Sequence, residues 1–242
     1  MTLVLSKKMD AFLSELTVPS HEIQSNIIEQ IKGMDFPTSR DEYWKYTRVG
    51  KISNAKFSNT ATPSNQIDVT AHLVSDNYIV IENGVIRTEL SQVNSDFEIK
   101  YKNATEITHL VNLDNNNVFT ALNSGLFKEA ISIRISANQV IEKPLQLVFI
   151  STGENNIANN RILVEAGNYS SASIIISNIS DNANNCFNNT ITEASVAENA
   201  HLTLHKIQNE SSTNLSVSTA QVKQAKNSTF KINTFTLTGL LV

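Results

Sequence analysis

Three Ala-x-Asn triplets at near-equal distances constrain this chain more than any other feature. Ala166-Gly-Asn168, Ala197-Glu-Asn199 and Ala225-Lys-Asn227 set their asparagines 31 and 28 residues apart, and Ala137-Asn138 lies 30 residues earlier as a degenerate copy. An alternating strand precedes each triplet (161–165, 190–194, 216–220), and a second follows it (174–176, 202–204, 230–232). Two strands per repeat at a near-fixed period predict a solenoid of stacked β-rungs. A β-sandwich is the alternative, but it requires no corner residue recurring at that period. Ala fits a tight corner, and Asn tolerates the left-handed backbone region. Asn is abundant, while Gly numbers 7 and Pro 4, so Asn is expected to make many of the turns.

Before the repeats the pattern is helical. Leu5, Met9, Phe12, Leu13 and Leu16 recur at helical spacing. Val18-Pro-Ser20 breaks this run. Ser20 is the expected cap of a second helix with Ile23, Ile27, Ile28 and Ile31 as its apolar face, ended by Gly33. Residues 37–47 hold an aromatic-rich short helix or turn with Tyr43, Trp44 and Tyr46, and the polar stretch 58–65 reads as a linker. These marks divide the chain into a helical region, 1–65, and a β-helix core, 66–242. Within the core, Asn83-Gly84 between two apolar runs predicts a hairpin. Val118, Ala121, Leu122, Gly125 and Leu126 make one buried helical stripe that leads into strands at 131–135 and 141–148.

Composition excludes several function classes. A net charge of -4 with pI near 5.7, and no basic stripe, argue against nucleic-acid binding. A single Cys excludes an intrachain disulfide or a Cys cage. No apolar run reaches about 18 residues, so no membrane span is expected. Met1-Thr-Leu-Val-Leu5 lacks the apolar core of a signal peptide, and the expected location is cytoplasmic. Neither a phosphate loop, a Gly-x-Gly-x-x-Gly nor a His-Glu-x-x-His occurs. His21, His72, His109, His201 and His205 are scattered. His201 and His205 share one face of a strand, where solvent-facing histidines are expected rather than metal ligands. Cys186 has no basic neighbour in sequence to depress its pKa and reads as inert. Trp44 with Tyr43 and Tyr46 reads first as packing between the helical region and the solenoid, and second as a partner surface. No catalytic or metal residues are assigned, and any cofactor-binding residues stay open.

Four segments carry a resemblance. Arg40-Asp-Glu-Tyr-Trp-Lys-Tyr-Thr47, Phe119-Thr-Ala-Leu-Asn123 with Glu142-Lys-Pro-Leu145, Asn199-Ala-His-Leu202 with Lys206-Ile-Gln-Asn209, and Phe235-Thr-Leu-Thr-Gly239 resemble, in order, motifs of the SufB/SufD family. Tyr43-Trp-Lys-Tyr46 and the short N-terminal helices look like the SufD side of it. The resemblance implies a right-handed parallel β-helix after a small helical region. It also implies a non-catalytic scaffold role in the SUF machinery for iron–sulfur clusters, beside a SufB-like protein and a SufC-like ATPase; pairing as a homodimer is also open. It implies no cofactor on this chain itself, with an iron–sulfur cluster belonging to the full complex and a flavin there left open. Members of the family are longer. The chain stops at Thr238-Gly-Leu-Leu-Val242 within a rung, which leads to the expectation of a fragment or curtailed reading frame, with the family's functional Cys and His, later rungs and C-terminal helices lying beyond it. The rival readings are a β-helix enzyme acting on polysaccharide and a free-standing structural solenoid.

Overall fold

The computed structural model describes residues 6–60, 64, 67–107 and 117–241. Leu5, His109 and part of the expected linker lie outside them. Among the described residues four α-helices, α1 (Lys7–Leu13), α2 (Glu22–Ile31), α3 (Gly50–Ser53) and α4 (Val118–Leu126), accompany eleven strands. The first strands are β1 (Tyr78–Glu82), β2 (Val85–Gln92), β3 (Glu98–Lys102), β4 (Ala130–Ile135), β5 (Leu145–Glu154) and β6 (Ile157–Ala166). They are followed by β7 (Ser171–Asn184), β8 (Phe187–Val196), β9 (His201–Asn209), β10 (Leu215–Gln224) and β11 (Thr229–Thr238).

The repeats build a parallel β-helix. Strands alternate between two sheets, one ordered β11-β9-β7-β5-β1-β2 and the other β10-β8-β6-β4-β3. From β4 onward every rung-to-rung pairing is parallel. The sandwich alternative therefore fails. Antiparallel partners occur at the start of the solenoid, where β2 folds back on β1 and β3 lies against β4. The β1–β2 turn is the expected Asn-Gly hairpin, with Asn83 at φ 47° and Gly84 at φ 78°.

The corner turns on Asn as expected, with one correction. Among the described non-glycine residues with positive φ, Tyr169 accompanies seven asparagines. Register pairs Ala166 with Val196 and Val196 with Gln224, so the stacked corner positions are Asn138, Tyr169, Asn199 and Asn227. Asn168 was expected there and stands one position early. Gly167 takes the place held by Ala197 and Ala225 on the next rungs. A Cβ on Gly167 would lie 2.7 Å from the Ala137 amide nitrogen, so a side chain there would collide with backbone.

The helices differ from expectation in two respects. α2 is capped by His21 without a side-chain bond, so Ser20 does not cap it. Its buried positions are Gln24, Ile28 and Ile31, while Ile23 is 53% exposed. The helix is rotated because Gln24 Nε2 donates to the Phe127 carbonyl at 2.9 Å, satisfying an acceptor past the end of α4. α4 is buried along all nine residues rather than along one stripe. α2 crosses it at Gly125, where a Cβ would come within 2.7 Å of Ile28 Cδ1. Asn117 Oδ1 caps α4 by accepting from the Phe119 and Thr120 amides.

A second apolar cluster joins helices to rungs. Met9, Phe12, Ile31, Ile52 and Phe119 pack with Ile157, Phe187 and Leu215, which stack on one another through the strand register. Aromatic rings carry the contact across: Phe12–Phe57 at 6.0 Å, Phe57–Phe187 at 5.7 Å and Phe119–Phe187 at 6.1 Å between centroids. The expected linker starts inside this assembly. Ser58 bridges Asn156, and Asn59 exchanges two hydrogen bonds with the Thr17 backbone. No helix among the described residues is long and apolar enough to cross a membrane.

Candidate functional site

Side chains alternate across each strand, so the apolar lumen fixes which positions face inward. Leu145, Leu147 and Phe149 of β5 face the lumen, as do Ile174 and Ile176 of β7 and Leu202 and Leu204 of β9. Following the columns rung by rung shows the lumen changing character. One column reads Leu147, Ile176, Lys206, Thr234, and the next reads Phe149, Asn178, Gln208, Thr236. Opposite them, Ile162 gives way to Thr192, and Ala158 to Asn188 and Ser216. The columns nearest the corner stay apolar, as in Leu145, Ile174, Leu204 and Val164, Ala194, Val222, while those farther along the strands turn polar in the later rungs.

A chamber of about 90 Å³ lies in the polar part, lined by Asn178, Lys206, Gln208, Ser216, Ser218 and Thr234. That volume accommodates a few waters. The side-chain carbonyl of Asn178 is buried and accepts no hydrogen bond from the described residues, and the same holds for Asn160. Burial pulls Lys206 below the ordinary lysine range. Beside this chamber Glu210 is 3% exposed. Its carboxylate accepts from Asn188 Nδ2 at 2.5 Å and Gln208 Nε2 at 2.9 Å. Desolvation outweighs those two donors and pushes Glu210 from 4.5 up to about 7. The lumen thus holds an acid that takes up or releases a proton near neutral pH.

A second polar network lies outside the lumen, beneath α4. Arg161 and Glu193 are both buried and pair at 2.8 Å. Arg161 Nη1 also donates to Asn123 Oδ1 at 3.0 Å and to Ser124 Oγ at 3.3 Å, and the guanidinium lies over the Phe127 ring. Asn123 Nδ2 donates in turn to the Asn160 and Asn189 carbonyls, each at 2.8 Å, tying α4 to two successive rungs. A third pair, Glu82 with Arg87, is buried at the first hairpin and is braced by Thr152 Oγ1, which donates to Glu82.

The residues singled out from the sequence do not converge. His201 and His205 have the parity opposite to Leu202 and Leu204 and face outward. Four strand residues separate them by roughly 13 Å, too far for one metal ion. His205 Nδ1 lies 3.4 Å from Asn233 Nδ2 on the next rung. No cluster of three or more His, Cys, Asp or Glu suited to a metal occurs among the described residues. Cys186 is 1% exposed, with its thiol against the Gly153 and Asn184 carbonyls, and burial pushes its pKa up. Such a thiol stays protonated and is a poor nucleophile. Trp44 packs on Phe119 at 5.1 Å between centroids, as the packing reading expects. Tyr43 and Tyr46 stand 96% and 90% exposed. Sequence reasoning passed over Lys206, Glu210, Arg161 and Glu193. Their signal is parity and register: Lys206 falls two residues after an inward leucine, and Glu193 one rung plus two residues after Arg161.

Residues 149–242 match the model of the SUF system FeS cluster assembly SufBD core domain, beginning at Phe149, the residue from which the second column turns polar. A SufBD-family iron–sulfur cluster assembly protein of Synechocystis sp. (strain ATCC 27184 / PCC 6803 / Kazusa) is 25% identical, over 81% of this chain and 49% of its own length. The chain thus spans about half the length of the curated relative it matches. The matched residues lie on the stacked parallel rungs, so the likeness to the SufBD core domain of the SUF iron–sulfur cluster assembly system falls on the β-helix.

Proposed function

We propose that this chain belongs to a non-catalytic, SufD-type scaffold subunit that works in the cytoplasm with a SufB-like protein and a SufC-like ATPase. The observation that carries this reading is the SufBD core match lying on the rungs of a parallel β-helix. The Tyr43-Trp44-Lys45-Tyr46 motif on the helical region supports the SufD side of the family. The rungs present a rigid backbone ladder, and α4 clamps two of them through Asn123. Such a body positions partners. On this reading ATP hydrolysis belongs to the partner, and an iron–sulfur cluster is cargo of the complex rather than a resident of residues 1–242.

The test is co-expression of the complete gene product with SufB-like and SufC-like proteins of the same genome, followed by size-exclusion chromatography. A three-protein complex is expected. Failure of this subunit to join, while the other two associate, overturns the proposal. Purified residues 1–242 should neither hydrolyse ATP nor show iron–sulfur absorbance after reconstitution. Micromolar or tighter binding of SufC by residues 1–242 alone in isothermal titration would move the partner contact into the segment read as architecture.

A further inference from the structure

The helical region carries a feature that its packing role does not use. A cleft of about 580 Å³ beside the 35–38 segment is lined by Lys8, Lys45 and Arg48, with Asp35 as its one carboxylate. The hydroxyl residues Thr38, Ser39 and Thr47 complete the wall. None of the three cations makes an ion pair among the described residues, whereas Lys32, Lys56, Arg87, Lys143 and Arg161 all do. On a chain of net charge -4 this cleft sets three cations against one carboxylate, a local excess of positive charge. Along the same 35–38 segment a second cleft, of about 370 Å³, is lined by Tyr43, Trp44, Asn117 and Val118, with Asp41 as a further carboxylate. The two clefts share Asp35, Phe36, Pro37 and Thr38 and form one trough.

Two tyrosines stand beside this trough almost fully in solvent, and the turn that carries them is held in place. Trp44 anchors it on Phe119. Asp41 Oδ2 accepts from the Thr38 amide at 2.6 Å and the Thr38 hydroxyl at 3.1 Å, closing the turn that leads into the aromatic segment. Lys45 lies 5.5 Å from the Tyr46 ring centre. Tyrosines presented on a pre-ordered turn cost little side-chain entropy on docking, and they are characteristic anchors of protein interfaces.

We propose that this trough docks an extended acidic segment of a partner protein, its carboxylates against Lys8, Lys45 and Arg48 and its apolar side chains against Tyr43 and Tyr46. The inference goes beyond the scaffold reading and stands without it. A compact anion seated in the basic cleft would leave Tyr43, which lines the other cleft, uncovered. A continuous polyanion such as RNA would run its phosphates past Asp35, Asp41 and Glu42, whereas a peptide can space its acidic residues to avoid them.

The test is fluorescence anisotropy on residues 1–242, with a labelled peptide of about 12 residues alternating Glu and Leu, its Lys-for-Glu counterpart, and an oligouridylate of similar length. The Glu peptide should bind in preference to the other two, and its affinity should fall as salt is raised past about 0.15 M. Lys45→Glu with Arg48→Glu, and separately Tyr43→Ala with Tyr46→Ala, should each weaken it about tenfold, with circular dichroism unchanged. Because all four side chains are outside the apolar core, loss of fold is not the expected route to loss of binding. Equal binding of the Lys peptide, tighter binding of the oligouridylate, displacement of the peptide by millimolar inorganic phosphate, or indifference to both double substitutions would overturn the proposal.

Discussion

Glu210 offers a direct measurement of how the lumen treats charge. The carboxyl is pushed from 4.5 to about 7 by burial, against two amide donors that favour the ionised form. Between those values the folded chain keeps a proton that the unfolded chain has lost. The folded state binds more protons there, so stability falls as pH rises. The contribution is full below about pH 4.5, declines through the folded value, and levels off above it. A gap of about 2.5 pH units corresponds to about 3 kcal/mol at 25 °C. Glu210→Gln removes the titration but keeps the shape. At pH 5 the wild-type carboxyl is protonated, and its hydroxyl oxygen can still accept from one of the two amides where the variant's NH2 cannot, so the variant should be less stable by about 1 kcal/mol. At pH 8 the wild-type chain carries a buried carboxylate and the variant does not, so the variant should be the more stable by about 2 kcal/mol. Urea unfolding of both proteins at pH 5, 6, 7 and 8 gives the difference directly, because every other titrating group cancels. A stability difference constant within about 0.5 kcal/mol across that range would refute the assignment of the shift to desolvation.

Other substitutions probe the remaining packing. Arg161→Met removes the guanidinium that pairs with the buried Glu193 and should cost about 3–5 kcal/mol in urea unfolding, with Arg161→Met and Glu193→Gln together recovering part of that. Trp44→Ala removes the ring on Phe119 and should cost about 3 kcal/mol, seen as a lowered thermal midpoint, whereas Tyr43→Ala, with its side chain in solvent, should leave the midpoint unchanged. Tyr169→Asn puts at φ 57° the residue type used at the other three stacked corners and should stabilise by about 1 kcal/mol in the same unfolding assay.

The solenoid was legible because its corners are local chemistry. A left-handed residue at a tight turn selects Asn, and four such turns at a near-constant period reveal the stack before any contact is known. The single register error came from the same rule. Asn168 reads as the corner, yet Tyr169 occupies it, because the rung there needs the space that only Gly167 leaves beside Ala137. Helix faces were less legible. Gln24 turns inward to serve a carbonyl on a helix about a hundred residues away, and no periodicity within α2 encodes that demand. The buried charges were the least legible. Arg161 and Glu193 look like surface residues in their own strands and become partners only when two rungs are superposed.

That last point explains how one lumen can be all hydrocarbon in the early rungs and half polar in the later ones. In a solenoid the backbone ladder between rungs is satisfied whatever the side chains are, so a rung need not be apolar to be held. Stability can then be concentrated where hydrophobic burial is cheapest. Here that is the lumen of the early rungs, with Leu145, Leu147, Phe149, Ile174 and Ile176, and the helical cap whose rings reach Phe187. Rungs stacked against that foundation can carry Asn188, Lys206, Gln208 and Glu210 facing inward, at a desolvation cost the foundation offsets. The segment that matches the SufBD core spans this change. A substitution that fills the polar chamber, Ser218→Leu for example, should therefore leave the fold standing while raising its hydrophobic content. A substitution that opens the apolar end, Leu147→Asn for example, should unfold the chain, because a buried amide there meets only hydrocarbon and the loss falls on the part that holds the rest.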